Sequence, residues 1–211
     1  MQAARGASLT SSDSTEPAAT DPAARDAQAG ARHRAHRRAL GVFVLVAVLG
    51  YTLDLITKAL AVAHLTGRPA VSVVGDLLTF YLARNPGAAF STGTSYTVLL
   101  TFVAFGAGIV TLWFARRVVS TGWALGLGFL MAGVLGNLTD RLFREPGPFR
   151  GHVVDFIQLP HWPIFNVADM CINIAAAVII LQAVRGVSID GTRHSRKDAA
   201  PEPGDDPTVA S

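Results

Sequence analysis

Charge is scarce in this chain. Only 16% of its 211 residues are Asp, Glu, Lys or Arg, whereas soluble domains carry about 25%. With 50% apolar residues and a mean hydropathy of +0.37, that scarcity excludes a disordered chain or a nucleic-acid coat, despite a pI near 9.5. Cysteine is nearly missing too. Cys171 stands alone in an apolar run, so neither a disulfide nor a cysteine-based metal cluster can form within one chain. The sequence also lacks a His-Glu-x-x-His pair and a glycine-rich phosphate loop. His152 and His161 stand nine apart on a broken segment and give no metal signature. No internal repeat is visible.

The charges that remain are unevenly placed. Residues 1–38 and 185–211 hold 19 of the 33, which leaves 14 for the 146 residues between them. Residues 1–31 are rich in Ala, Ser, Thr, Asp, Pro and Gly without apolar periodicity, so disorder is expected there. The first 30 residues contain no apolar core of the secretory-signal kind. Pro201, Pro203, Gly204 and Pro207 argue for a second flexible tail. The expected division is therefore a disordered tail over 1–38, a membrane domain over 39–185 and a disordered tail over 186–211.

Four apolar stretches fill the middle: Leu40 to about Ala63, Tyr96–Ala115, Gly122–Thr139 and Pro163–Val184. About 20 residues of helix cross the ~30 Å hydrocarbon core. A spanning segment must satisfy its backbone internally, so each stretch reads as a helix. The expected fold is an all-α membrane protein, a bundle of four transmembrane helices. Arg32, Arg34, Arg37 and Arg38 precede the first span, and Arg116 and Arg117 lie between the second and third. Arg185, Arg193, Arg196 and Lys197 follow the fourth. An even number of spans puts all three groups on one side, which the positive-inside rule assigns to the cytoplasm. Both termini are then cytoplasmic. On the outer side, Val71–Val74 and Leu77–Leu82 flank Gly75-Asp76 and read as a hairpin or small sheet. Pro146-Gly147-Pro148 breaks any helix in the other outer loop.

Ionisable residues at the edge of a span mark function by default, because hydrocarbon makes their charge costly. Asp54 with Lys58, Asp140 with Arg141, Asp155 and Asp169 all fall at outer ends of spans or in the outer loop. Asp54 and Lys58, four apart, share a helix face and can pair, with the lysine snorkelling outward. Asp140 and Arg141 are adjacent, so each serves a different neighbour. Asp155 and Asp169 have no basic residue nearby in sequence. A connection bent at Pro160 and Pro163 brings their carboxylates together. Two such groups share one proton, the charged member activating water and the protonated member polarising a carbonyl. The spacing alone suits a cation site equally well. Two other classes fit the hydropathy, a small ion or proton transporter and a non-enzymatic assembly factor. A relay needs acids staggered through the membrane depth, whereas these gather on one side.

In order along the chain stand Asp54-Leu-Ile-Thr-Lys58, Asn85-Pro-Gly-Ala-Ala-Phe90, Gly136-Asn-Leu-Thr-Asp-Arg141, Val153-Val-Asp155-Phe-Ile and Phe165-Asn-Val-Ala-Asp169. Together they resemble the lipoprotein signal peptidase family, or signal peptidase II, over roughly residues 40–185. The resemblance implies a bacterial membrane aspartyl endopeptidase that removes the signal peptide of diacylglyceryl-modified prolipoproteins, cutting just before the lipidated cysteine. It implies a four-helix bundle with a small extracytoplasmic β-cradle, in agreement with the expected hairpin. The family's catalytic pair falls on Asp155 and Asp169. Asn85, Gly87, Asn137, Arg141 and Asn166 would shape the substrate pocket, and Asp54, Lys58 and Asp140 would hold the scaffold. No metal or organic cofactor is implied. The partners are the lipidated precursor and membrane lipid, with the chain acting as a monomer. The connection Phe143–Arg150 is longer than the family usually needs.

Overall fold

Four helices among the described residues are long and apolar enough to cross a membrane. The computed structural model describes residues 22–87 and 94–193. In chain order the elements are α1 (Pro22–Leu65), β1 (Val71–Val74), β2 (Leu78–Asn85), α2 (Thr94–Ala115), α3 (Thr121–Phe143), β3 (Val153–Gln158) and α4 (Val167–Val184). The four expected spans and the expected hairpin are all present. The third strand, Val153–Gln158, was not expected from the sequence.

α3 is the central helix, packed against α1, α2 and α4. Its contact face is built from small residues, which let backbones approach closely where lipid offers no hydrophobic drive between helices. Opposite it, α1 buries Ala39, Phe43, Ala47, Gly50, Asp54, Lys58 and Ala61. These recur every three or four positions and form one stripe along the helix. Gly136 shows why size matters: a Cβ there would collide with the carboxylate of Asp54 and with Ala168. α2 and α4 both pack on α3, with no comparable packing of one on the other among the described residues.

The three strands form one antiparallel sheet, ordered β1-β2-β3, at one end of the bundle. β1 is exposed along its whole length, whereas Val153, Val154, Asp155 and Phe156 of β3 are buried. Val154 and Phe156 pack with Ala61 of α1, so the sheet is seated on the end of that helix. The long connection after α3 lies against α2. Phe149 stacks on Phe102 at 5.9 Å, and Thr101 Oγ1 donates to the Phe149 carbonyl at 3.0 Å.

Two expected boundaries need correction. Disorder was expected over residues 1–38, yet α1 begins at Pro22 and runs unbroken into the first span. The reason is composition: Ala23, Ala24, Arg25, Ala27, Gln28, Ala29, Ala31 and Arg32 are strong helix formers, and proline suits the first helical position. The tail expected over 186–211 also has an ordered beginning. Val119 and Ser120 donate to the Ile189 carbonyl at 2.9 and 3.2 Å, and Trp123 Nε1 donates to the Val187 carbonyl at 2.7 Å. Residues 186–189 thus satisfy backbone donors at the start of α3, which lacks a side-chain cap. The remainder of the expected tails, 1–21 and 194–211, lies outside the described residues, as do Ala88, Ala89 and Phe90 of the Asn85–Phe90 motif.

Candidate active site

Asp155 lies on β3 and Asp169 in the first turn of α4, and both line one cleft of ≈ 480 Å³ at the sheet end of the bundle. The chain between them folds back. Phe165 bonds to Ile157 in both directions, its N–H donating at 3.0 Å and its carbonyl accepting at 2.9 Å. That closure delivers the next residue, Asn166, to the start of α4 and beside Asp155.

Asn166 is fully buried and ties the two acids together. Its Nδ2 donates to Asp155 Oδ1 at 2.6 Å, and its Oδ1 accepts from the Asp169 backbone N–H at 3.0 Å. Asp169 Oδ2 accepts from the Asn166 backbone N–H at 3.2 Å, which completes a capping box. The same pair that starts α4 therefore also aims Asp169. On the other side, Asn85 at the end of β2 donates from Nδ2 to Asp155 Oδ2 at 2.9 Å. The register explains the reach: Asn85 is opposite Val153, and Asp155 is its diagonal neighbour two residues along. Gly87 N–H donates to Asn85 Oδ1 at 2.8 Å and holds that amide in place. Gly87 has a φ of +107°, and a Cβ there would strike Leu100, so only glycine fits the turn.

Burial pushes the Asp155 carboxyl up to about 6. The hydrogen bond from Asn85 opposes that rise, the negative charge of Asp169 adds to it, and Asn166 and Lys58 oppose it. A carboxyl titrating so close to neutrality suits proton transfer.

Behind the acids is a second layer. Lys58 is fully buried, contrary to the expected outward snorkel. Its ammonium meets Asp54 at 2.8 Å, Asp140 at 2.9 Å and Asn137 Oδ1 at 3.1 Å, so all three of its N–H donors are used inside the protein. Asp140 also pairs with Arg144 and accepts from the Val154 N–H at 3.1 Å, which ties α3 to β3. Asp54 Oδ1 accepts from the Ala168 N–H at 2.8 Å. Asn137 links the layers. Its Oδ1 accepts from Lys58 and from Asn166 at 3.2 Å, so its Nδ2 is turned to Asp169 Oδ1 at 2.9 Å. The guanidinium of Arg141 donates to its own helix at Asn137 O, 3.1 Å away, in the field of Asp169, Asp140 and Asp155. As expected, Asp140 and Arg141 serve different neighbours.

The structure thus gathers Asn85, Asn137, Asn166, Asp155 and Asp169 into one network, with Asp54, Lys58 and Asp140 supporting it. The cleft also contains residues that the sequence did not single out, among them Trp162, Met170 and Asn173. Asn173 follows Asp169 by four residues and Asn166 by seven, a helical spacing visible in the sequence alone.

Two acids held by amides sit where apolar helices meet a small sheet, and the family match that follows puts the molecule in the class of membrane aspartic-type peptidases. Residues 46–185 match the signal peptidase (SPase) II family. The chain is 46% identical over 165 residues to the lipoprotein signal peptidase of Mycobacterium leprae, covering 77% of this chain and 82% of that one. The Rhodococcus jostii lipoprotein signal peptidase is 49% identical over 159 residues, covering 75% and 79%. A bacterial membrane enzyme solved by the in meso method aligns with TM-score 0.62 and 26% identity, over 69% of this chain and 94% of that one. The chain belongs to the signal peptidase II family.

Proposed function

We propose that Asp155 and Asp169 are the catalytic pair with which this peptidase removes the signal peptide from prolipoproteins, cutting on the N-terminal side of a diacylglyceryl-modified cysteine. The observation that supports this reading is the coupling of both carboxylates through Asn166 in one cleft. The two acids share one proton. The ionised member takes a proton from water as the water attacks the scissile carbonyl, while the protonated member donates to the carbonyl oxygen. Proton return to the leaving amine closes the cycle. Asp169 lies in the first turn of α4, where the helix dipole favours an anion. Asn85, Asn137 and Asn166 fix the two carboxylates, and Gly87 and Arg141, bonded to Asn85 and Asn137, are assigned to the substrate side of the site.

The lipid chains and the apolar signal helix hold the scissile bond at the membrane surface, the depth of the helix ends, and this positioning lowers the barrier. The proposed orientation puts both termini in the cytoplasm and the cleft at the outer face of the bacterial cell membrane, with the chain working as a monomer. The test is a cleavage assay on a purified lipidated precursor. Asp155→Asn and Asp169→Asn should each lose turnover by at least about a thousandfold, the scale expected for a group that acts in the transition state. Both should remain inserted and folded. Turnover retained in either variant removes the pair.

A further inference from the structure

α2 carries no charged residue, yet it buries three threonines, Thr97, Thr101 and Thr111. A threonine in a spanning helix ordinarily gives its hydroxyl proton to the carbonyl one turn back. Thr57, Thr101, Thr111 and Thr139 do so here, at 2.7 or 2.8 Å. Thr97 reaches out of its helix. It stands in the first turn of α2, and its Oγ1 donates to the carbonyl of Pro86, in the turn that follows β2.

The same face of α2 meets that turn a second time. Leu100, three residues on from Thr97, packs so closely on Gly87 that a Cβ there would overlap it. Thr101, four residues on, reaches the connection before β3 through the Phe149 carbonyl at 3.0 Å. One helix face therefore holds the turn beside Asn85 and the loop that leads to Asp155. Between them runs the bond from Asn85 Nδ2 to Asp155 Oδ2 at 2.9 Å, with the Asn85 amide steadied by the Gly87 N–H at 2.8 Å. The ring of Pro86 fixes φ at that residue, and a bond to its carbonyl oxygen fixes the peptide on the other side. The turn is left with little freedom.

We propose that Thr97 is a positioning residue for the peptidase reaction, its hydroxyl setting the turn at Asn85–Gly87 and, through Asn85, the donor on Asp155. The proposal rests on the reading of Asp155 as one of the catalytic pair and adds to it a residue on a helix that contributes no acid. Thr97 does not line the cleft, so its action is indirect. It has a signature that simple loosening of the fold lacks. Donation from Asn85 favours the Asp155 anion, and a turn set free withdraws that donor and moves the carboxyl further up. Asp169 on α4, Lys58 on α1 and Arg141 on α3 act on the same carboxyl through their charges, and a change at Thr97 leaves all three in place.

The test measures kcat and KM across pH for the purified full-length chain cutting a lipidated precursor, with activity expressed per folded molecule. Thr97→Val keeps the shape and removes the hydroxyl. Its kcat should fall about tenfold with KM within about twofold of wild type. Its alkaline inflection should rise by about one pH unit, the scale of one lost hydrogen bond to a charged group. Thr97→Ser keeps the hydroxyl and should restore both. Thr97→Ala removes it without the bulk of valine and should displace the inflection equally. Thr111→Val removes a buried hydroxyl bonded within its own helix and should leave the inflection unmoved. An inflection at the wild-type value in Thr97→Val and Thr97→Ala, or a loss that Thr97→Ser shares in full, overturns the positioning role. With Asp155→Asn inactive, that result removes Thr97 alone. Turnover retained in Asp155→Asn removes the catalytic pair and the role of Thr97 with it.

Discussion

Asp155 sits 2% exposed on a strand, and its surroundings oppose its charge more than they support it. Burial lifts its carboxyl from 3.8 to about 6 against the pull of two asparagine donors. If that group holds the shared proton, kcat/KM falls on the alkaline side of an inflection near 6, by about tenfold per pH unit. A profile that stays level from pH 5 to about 8 removes Asp155 as the proton holder. The same shift has a consequence for folding. The folded value lies above the unfolded one, so the stabilisation is complete below about 4 and is lost as pH rises through about 6. Thermal unfolding of wild type and Asp155→Asn across that window should show wild type losing ground. The Asn137 amide depends on its neighbours in another way. Two donors on its oxygen dictate which end faces Asp169, so Lys58 acts on the site by orientation as well as by charge.

α3 works as a spine because so much of its contact surface is small. Replacing Gly136 with Ala pushes a methyl group into the Asp54 carboxylate and loosens its bond to the Ala168 N–H. A cost of about 1–3 kcal/mol is expected, seen as a lower unfolding temperature in detergent, with activity reduced in step with the folded fraction. Elements of this kind differ in how legible they are from sequence. The spans were visible because twenty apolar residues in lipid leave the backbone one solution. The hairpin was visible from its Gly-Asp turn. β3 was not, because Val153–Phe156 is buried on both faces and shows no alternation, and its partner is distant in sequence. With that strand hidden, the diagonal from Asn85 to Asp155 was hidden too. The acids themselves were legible because they are charges where charge is rare. The burial of Lys58 was not, since an i,i+4 pair reads the same at a surface as in a core. The helix over residues 22–38 was hidden because it has no apolar periodicity, only the propensity of its alanines and arginines.

Among the described residues, the buried polar network is gathered at the sheet end, and Arg32, Arg34, Arg37, Arg38, Arg116 and Arg117 stand toward the other. The proposed orientation puts Asp76, in the hairpin turn, outside, and Asp190, in the turn after residues 186–189, inside. Cysteines placed at those two positions, with Cys171 replaced by Ser, should therefore react with a membrane-impermeant thiol reagent from opposite sides of the cell membrane. Labelling of both from one side contradicts that topology.

α4 also has a meaning in time. A chain is made from its N-terminus, so Asp54, Lys58, Asn85, Asn137 and Asp155 all exist before Asp169 leaves the ribosome. Asp169 arrives on the last helix, and residues 186–189, which bond to the start of α3, come later still. On the proposed pairing, an unfinished chain has Asp155 without its catalytic partner, and a copy truncated before α4 is expected to be inert. Completion of synthesis is then the step that switches the site on.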